Sequence, residues 1–147
     1  MIAVDTNLLI YAHRARVAEH RAARRAIERA ANAATGWGIP LPCIAEFWSV
    51  VTHPTAAGRP STGREAAAFL LALTQSGGAQ VWLPGVGFGE RLLDLAAARG
   101  TTGPRVFDLQ IALLAVEHGA SELWTHDRNF ATVPGLTVRD PLAGNRA

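Results

Sequence analysis

The chain has 147 residues, a single-domain length at which folding buries roughly 68–70% of the surface that the unfolded chain exposes. Hydrophobic residues make up 49% and charged residues 18%, and no apolar run approaches the roughly 18 residues that a membrane span requires, which excludes transmembrane, disordered and collagen-like classes. Lysine is absent, all 14 basic residues being arginine, so Schiff-base chemistry and a Walker-A phosphate loop are excluded as well; a net charge of +2 permits a nucleic-acid partner without requiring one.

The opening Met1-Ile2-Ala3-Val4 is interrupted by Asp5 and preceded by no basic residue, the wrong layout for a secretory signal. Cys43 is the only cysteine, so no internal disulfide or thiolate zinc cluster can form, as expected in a reducing cytoplasm.

In chain order, Ile2-Ala3-Val4 reads as a buried strand, and Asp5-Thr6-Asn7 has the residue types that leave strands and cap helices. Alanine and arginine dominate residues 14–34, which read as one long basic helix stopped by Gly36. A second helix is predicted over about 42–53, with Ile44, Phe47, Trp48 and Val51 as its apolar stripe and Pro42 in its first turn. Residues 53–63 are rich in Pro, Gly, Thr and Ser and read as a loop. Beyond it follow a helix over 64–75, a strand over 80–83, a helix over 89–99, a loop over 101–104, a helix over 106–118, a strand over 122–125 and a final strand near 136–138. Such alternation implies a mostly parallel sheet covered by helices on both faces, as one domain over residues 1–147.

In open α/β sheets ligands bind beyond the carboxyl ends of the strands. Asp5 and Asp127 both follow predicted strands directly. Each has a simpler role available as a helix cap, worth about 0.5–2 kcal/mol over Ala. Glu46 lies roughly 200° around its helix from Ile44, away from the apolar stripe, where plain solvent exposure is the competing reading. Asp108 opens a helix that is apolar on most of its circumference, with Phe107, Ile111 and Leu114 on one side, and Arg105 could pair with it. Two carboxylates 4 Å apart repel by about 4 kcal/mol at an effective dielectric of 20. Four converging acids therefore call for a hard divalent cation, and Mg²⁺ or Mn²⁺ suits oxygen ligands. Such an ion can acidify water and clamp a phosphodiester, which is nuclease chemistry.

With these residues in place, the chain resembles the PIN-domain ribonucleases, and more narrowly the VapC-type toxins of toxin–antitoxin pairs. The resemblance rests on the hydrophobic strand into Asp5-Thr6-Asn7-Leu8-Leu9, Glu46 in the second main helix, the helix start Asp108-Leu109-Gln110-Ile111-Ala112, and Thr125-His126-Asp127-Arg128-Asn129-Phe130. It implies a three-layer α/β/α sandwich, Mg²⁺- or Mn²⁺-dependent endonucleolytic cleavage of RNA, a homodimer in the cytoplasm, and inhibition by a cognate VapB-like antitoxin. It also implies that Asp5, Glu46, Asp108 and Asp127 are the catalytic and metal-site acids, with Thr6, Asn7 and Thr125 supporting them. The 53–63 loop and Gly85-Val86-Gly87-Phe88-Gly89 lie outside its motifs.

Three rival readings share part of this pattern. A dinucleotide-binding turn at Gly85 and Gly87 would need a third glycine where Glu90 stands. An aspartyl-phosphate phosphatase would need an acid two positions after Asp5, where Asn7 cannot exchange a proton. A non-catalytic RNA- or protein-binding module could use Arg14, Arg16, Arg21, Arg24, Arg25 and Arg29 on phosphates and tryptophans on bases, although Trp48 and Trp124 sit at expected core positions. A pure phosphate binder gains nothing from clustered acids.

Overall fold

The computed structural model describes residues 1–56 and 58–144. Along the chain it forms β1 (Ile2–Val4), α1 (Thr6–His13), α2 (His20–Ala31), β2 (Trp37–Pro40), α3 (Leu41–Val51), α4 (Gly63–Gln75), β3 (Gln80–Trp82), α5 (Phe88–Ala98), α6 (Arg105–Glu117), β4 (Glu122–Trp124) and β5 (Thr137–Arg139). The five strands form one sheet in the order β3-β2-β1-β4-β5, with every neighbouring pair parallel.

Parallel crossovers are right-handed, so the helices joining β1 to β2 and β2 to β3 lie on one face, and α5 and α6, which carry the chain back across the sheet to β4, lie on the other. The contacts agree: α1 packs on α2 and α3, α3 on α4, and α5 on α6. This is the expected three-layer arrangement. β1 is covered on both faces and all three of its residues are buried, as an apolar strand in the middle of a parallel sheet must be. Trp37, Trp82, Phe47, Leu8, Leu9 and Leu109 are among the largest fully buried side chains.

Several local expectations are corrected. The chain does not run as one helix from 14 to 34: α1 occupies Thr6–His13, the backbone turns at Arg14, and α2 starts at His20. Composition favours helix throughout, but α1 must double back to pack on α2, and the bend is closed by the His20 Nδ1 bond to the Tyr11 carbonyl at 2.9 Å. The segment Trp37–Pro40 is a buried strand with no alternation, and it contains glycine and proline. Gly38 is required there, because a Cβ would stand 2.3 Å from Cε2 of the Trp82 ring. On α3 the buried stripe is Cys43, Phe47 and Val51. Trp48 is not a core residue but is 44% exposed, its ring lying beside Gly63 at the start of α4. Trp124 is half-buried rather than core, with the Arg29 guanidinium 5.6 Å above its ring.

Candidate active site

β1 leaves toward β2 on one side and pairs with β4 on the other, so the edge between β1 and β4 is the topological switch point, where crevices open in such sheets. Asp5 and Thr125 are the first residues beyond these two strands. Val4 is in register with Trp124, and the Asp5 amide donates to the Trp124 carbonyl at 3.0 Å. Asp5 is 7% and Thr125 1% exposed.

Asp5 caps α1 through Oδ1, which accepts from the Thr6 amide at 2.8 Å. The same oxygen faces the Cys43 thiol, Sγ to Oδ1 3.8 Å. Oδ2 accepts from the Thr125 hydroxyl at 2.8 Å. That hydroxyl in turn accepts from Asn7 Nδ2 and from the Asp127 amide, each at 3.0 Å, and Asn7 Oδ1 accepts from the His126 amide at 3.2 Å. A hydroxyl has one proton and two lone pairs; with both pairs used, the Thr125 proton is committed to Asp5. Thr6 contributes twice, its amide binding Asp5 and its hydroxyl donating to Glu46 Oε2 at 3.2 Å.

The four acids line one cleft of about 660 Å³, together with Thr6, Asn7, Ile10, Phe107 and Gln110. Glu46 projects from the second turn of α3, Asp108 from the first turn of α6, and Asp127 from the loop after β4, where its Oδ1 accepts from the Asn129 amide at 2.8 Å. Their charges act on one another. Burial pushes the Asp5 carboxyl above its ordinary range, the Thr125 and Thr6 bonds pull against that, and Glu46 and Asp127 raise it further. Burial also raises Asp108, reinforced by Asp127 and Asp5 and opposed by Arg105 and the Ala131 amide. Arg105 attracts Asp108 from a distance: no ion pair joins them among the described residues.

The donor set is carboxylate, hydroxyl and amide oxygen, which suits a hard cation. Cys43 is fully buried beside Asp5, and burial raises its thiol well above its ordinary value, so it offers no thiolate to a softer metal. Among the described residues no three His, Cys, Asp or Glu side chains stand close enough to hold an ion as they are, so the acids share a cleft without forming a closed ligand cage.

Two parts of this arrangement escape the sequence reading. Cys43 reaches Asp5 because α3 starts directly after β2, the parallel neighbour of β1; reading Trp37–Pro40 as a strand would have pointed to it. Phe107, expected in the core, is 62% exposed and forms part of the cleft wall, since the α6 residues facing inward are Leu109, Ile111, Ala112, Leu114 and Ala115.

A model of the PIN domain family matches residues 2–136. Ribonuclease VapC43 of Mycobacterium tuberculosis is 34% identical over 144 residues, 98% of this chain and 97% of that protein. Among solved structures, the Mycobacterium tuberculosis toxin VapC20, described as cleaving the sarcin–ricin loop, superposes with a TM-score of 0.66 at 18% identity, covering 88% of this chain and 92% of that one. VapBC2 from Rickettsia felis, solved bound to a DNA fragment from its promoter, gives 0.61 at 18% identity over 95% of this chain and 98% of that one. A strand-end aspartate at the switch point, three further acids around it, and similarity along nearly the whole length agree: the chain belongs to the PIN-domain family of VapC ribonucleases.

Proposed function

We propose that this chain is an endoribonuclease that acts as a VapC-type toxin, hydrolysing RNA phosphodiester bonds with Mg²⁺ or Mn²⁺ held among Asp5, Glu46, Asp108 and Asp127. The observation that carries the reading is the convergence of these four acids on one cleft at the strand ends. The chemistry such an ion supplies is charge neutralisation at the phosphodiester and acidification of water. Asp5 is the fixed member: its cap bond and the Thr125 proton hold both oxygens in place before any ligand arrives. Glu46 and Asp108 enter from opposite layers of the sandwich, and Thr6 links Glu46 to the same scaffold. Asp127, whose carboxylate already accepts from Asn129, contributes chiefly negative charge at the rim. Thr6, Asn7 and Thr125 are positioning residues.

By its resemblance to the VapC-type toxins, this chain acts as a cytoplasmic homodimer, one domain over residues 1–147, restrained by a VapB-like antitoxin. An arginine carried into the acidic cleft is the economical way to block it, since it neutralises the acids that would hold the ion. No helix among the described residues is long and apolar enough to cross a membrane.

The test is RNA cleavage by the purified chain with Mg²⁺ or Mn²⁺. Activity is expected to disappear with EDTA and in Asp5→Asn. Cleavage that persists in EDTA would overturn the metal site, and RNA binding without any turnover would favour the non-catalytic binding module.

A further inference from the structure

An acidic cleft repels the polyanion it is meant to cut, so the RNA on either side of the scissile bond needs contacts of its own. The first turn of α6 offers two kinds. Taking 3.6 residues per turn, or roughly 100° per residue, Phe107, Asp108 and Arg105 follow one another around the helix, with Asp108 in the middle. Phe107 lies on the cleft side, 62% exposed. Around the other edge is a hollow of about 190 Å³, lined by Arg99, Gly100, Thr101, Thr102 and Arg105. Neither arginine there forms an ion pair among the described residues, although Arg105 attracts Asp108 from a distance. Arg99 is anchored by Nη1 to the Thr132 carbonyl at 2.5 Å, and Arg105 is exposed. Two arginines and two threonines lining a small recess make a seat for a phosphate.

We propose that this turn of α6 is a nucleotide subsite flanking the scissile bond, in which Phe107 stacks an unpaired base and the Arg99–Arg105 hollow holds a neighbouring RNA phosphate. The proposal rests on the ribonuclease reading for its substrate. A strand crossing the turn meets the ring, then Asp108 and the acid cleft, then the guanidinium groups. Stacking tolerates any base but requires an unpaired one, so the subsite selects single-stranded over duplex RNA.

The full chain is assayed with Mg²⁺ on a fluorophore-labelled single-stranded RNA containing every dinucleotide step, and each variant is checked for melting temperature and elution volume. Phe107→Ala is expected to raise KM about tenfold and Phe107→Trp to restore it. Arg105→Gln and Arg99→Gln are expected to raise KM and to lower the slope of log affinity against log salt by about 1. Arg64→Gln, on the exposed side of α4, is expected to change neither. Unchanged KM in both Phe107→Ala and Arg105→Gln, with cleavage intact, would overturn the subsite and leave the ribonuclease reading standing. A Phe107→Ala variant that alters the oligomeric state but not RNA affinity would assign the ring to an interface between copies and also overturn it. If the unaltered chain fails to cleave, the ribonuclease reading falls; fluorescence anisotropy on the same RNA, with the variants ranked as above, then supports the subsite, and no ranking overturns it.

Discussion

The Thr125 hydroxyl is the smallest group on which the site depends. It donates to Asp5 and accepts from Asn7 and the Asp127 amide, so a shape-preserving change to valine leaves the buried Asp5 carboxylate and two less buried partners short at once. A buried polar group without its partner costs about 1–3 kcal/mol. Thr125→Val should therefore destabilise the chain by about 2 kcal/mol in urea titration and depress RNA cleavage at least tenfold, whereas Thr125→Ser should keep most of both. Equal behaviour of the two variants would show that the hydroxyl network does not matter. For Asp5 and Asp108 the native carboxyls are raised. As pH climbs past their ordinary value of 3.8, the unfolded chain loses these protons first, so their contribution favours folding at low pH and is lost as pH passes the raised native values. Asp108→Asn should flatten that decline, and at neutral pH it should raise or preserve the melting temperature of the metal-free protein while abolishing cleavage. A marked loss of stability would make Asp108 a structural residue instead. These carboxylates were legible from their places after strands or at helix starts. Their supports were less so: Thr6, Asn7 and Thr125 came only through family resemblance, and Cys43 was missed because a thiol adjacent to a distant aspartate leaves no local pattern.

At the scale of elements, the sequence is most readable where local and tertiary preferences agree. The helices α4, α5 and α6 fall within a residue or two of their expected bounds; α4 also carries a capping box between Thr62 and Glu65, which stabilises its start without tertiary help. Readability fails where packing overrides propensity. β2 holds glycine and proline, both unfavourable in strands, and its glycine is there because the Trp82 indole of β3 lies over Gly38. That indole is 1% exposed and stacks on His118, so it has little freedom to withdraw. Gly38→Ala should destabilise the fold by about 1–3 kcal/mol, the usual cost of overpacking; a melting temperature unchanged from the parent would show that the ring yields. On α3 the expected stripe holds at Phe47 and Val51, but its buried edge runs through Cys43 rather than Trp48.

For the molecule as a whole, the parallel sheet and its two helical layers were legible from strand and helix alternation, but not the strand order, which depends on which edge each crossover chooses. That order is what assembles the acids, and their mutual repulsion gives the assembly a thermodynamic signature. Binding to the native state alone stabilises by RT ln(1 + [ion]/Kd), about 2.7 kcal/mol at a concentration of 100 Kd. Millimolar Mn²⁺ should raise the melting temperature at neutral pH, with the gain shrinking as acidification returns protons to the carboxyls. The gain should vanish in Asp5→Asn. A melting temperature indifferent to Mn²⁺ at neutral pH would mean that the cleft does not take the ion.

The pairing of β1 with β4 brings Asp5 to a hydroxyl donor 120 positions away along the chain. A ribosome making this protein therefore produces Asp5 almost at once and the side chain that bonds to it close to the end. Any product cut short before residue 122 by a stop codon, a frameshift or a stalled message lacks the strand that completes the cleft. Such fragments should not cut RNA, and cleavage is expected only from chains whose translation is nearly finished.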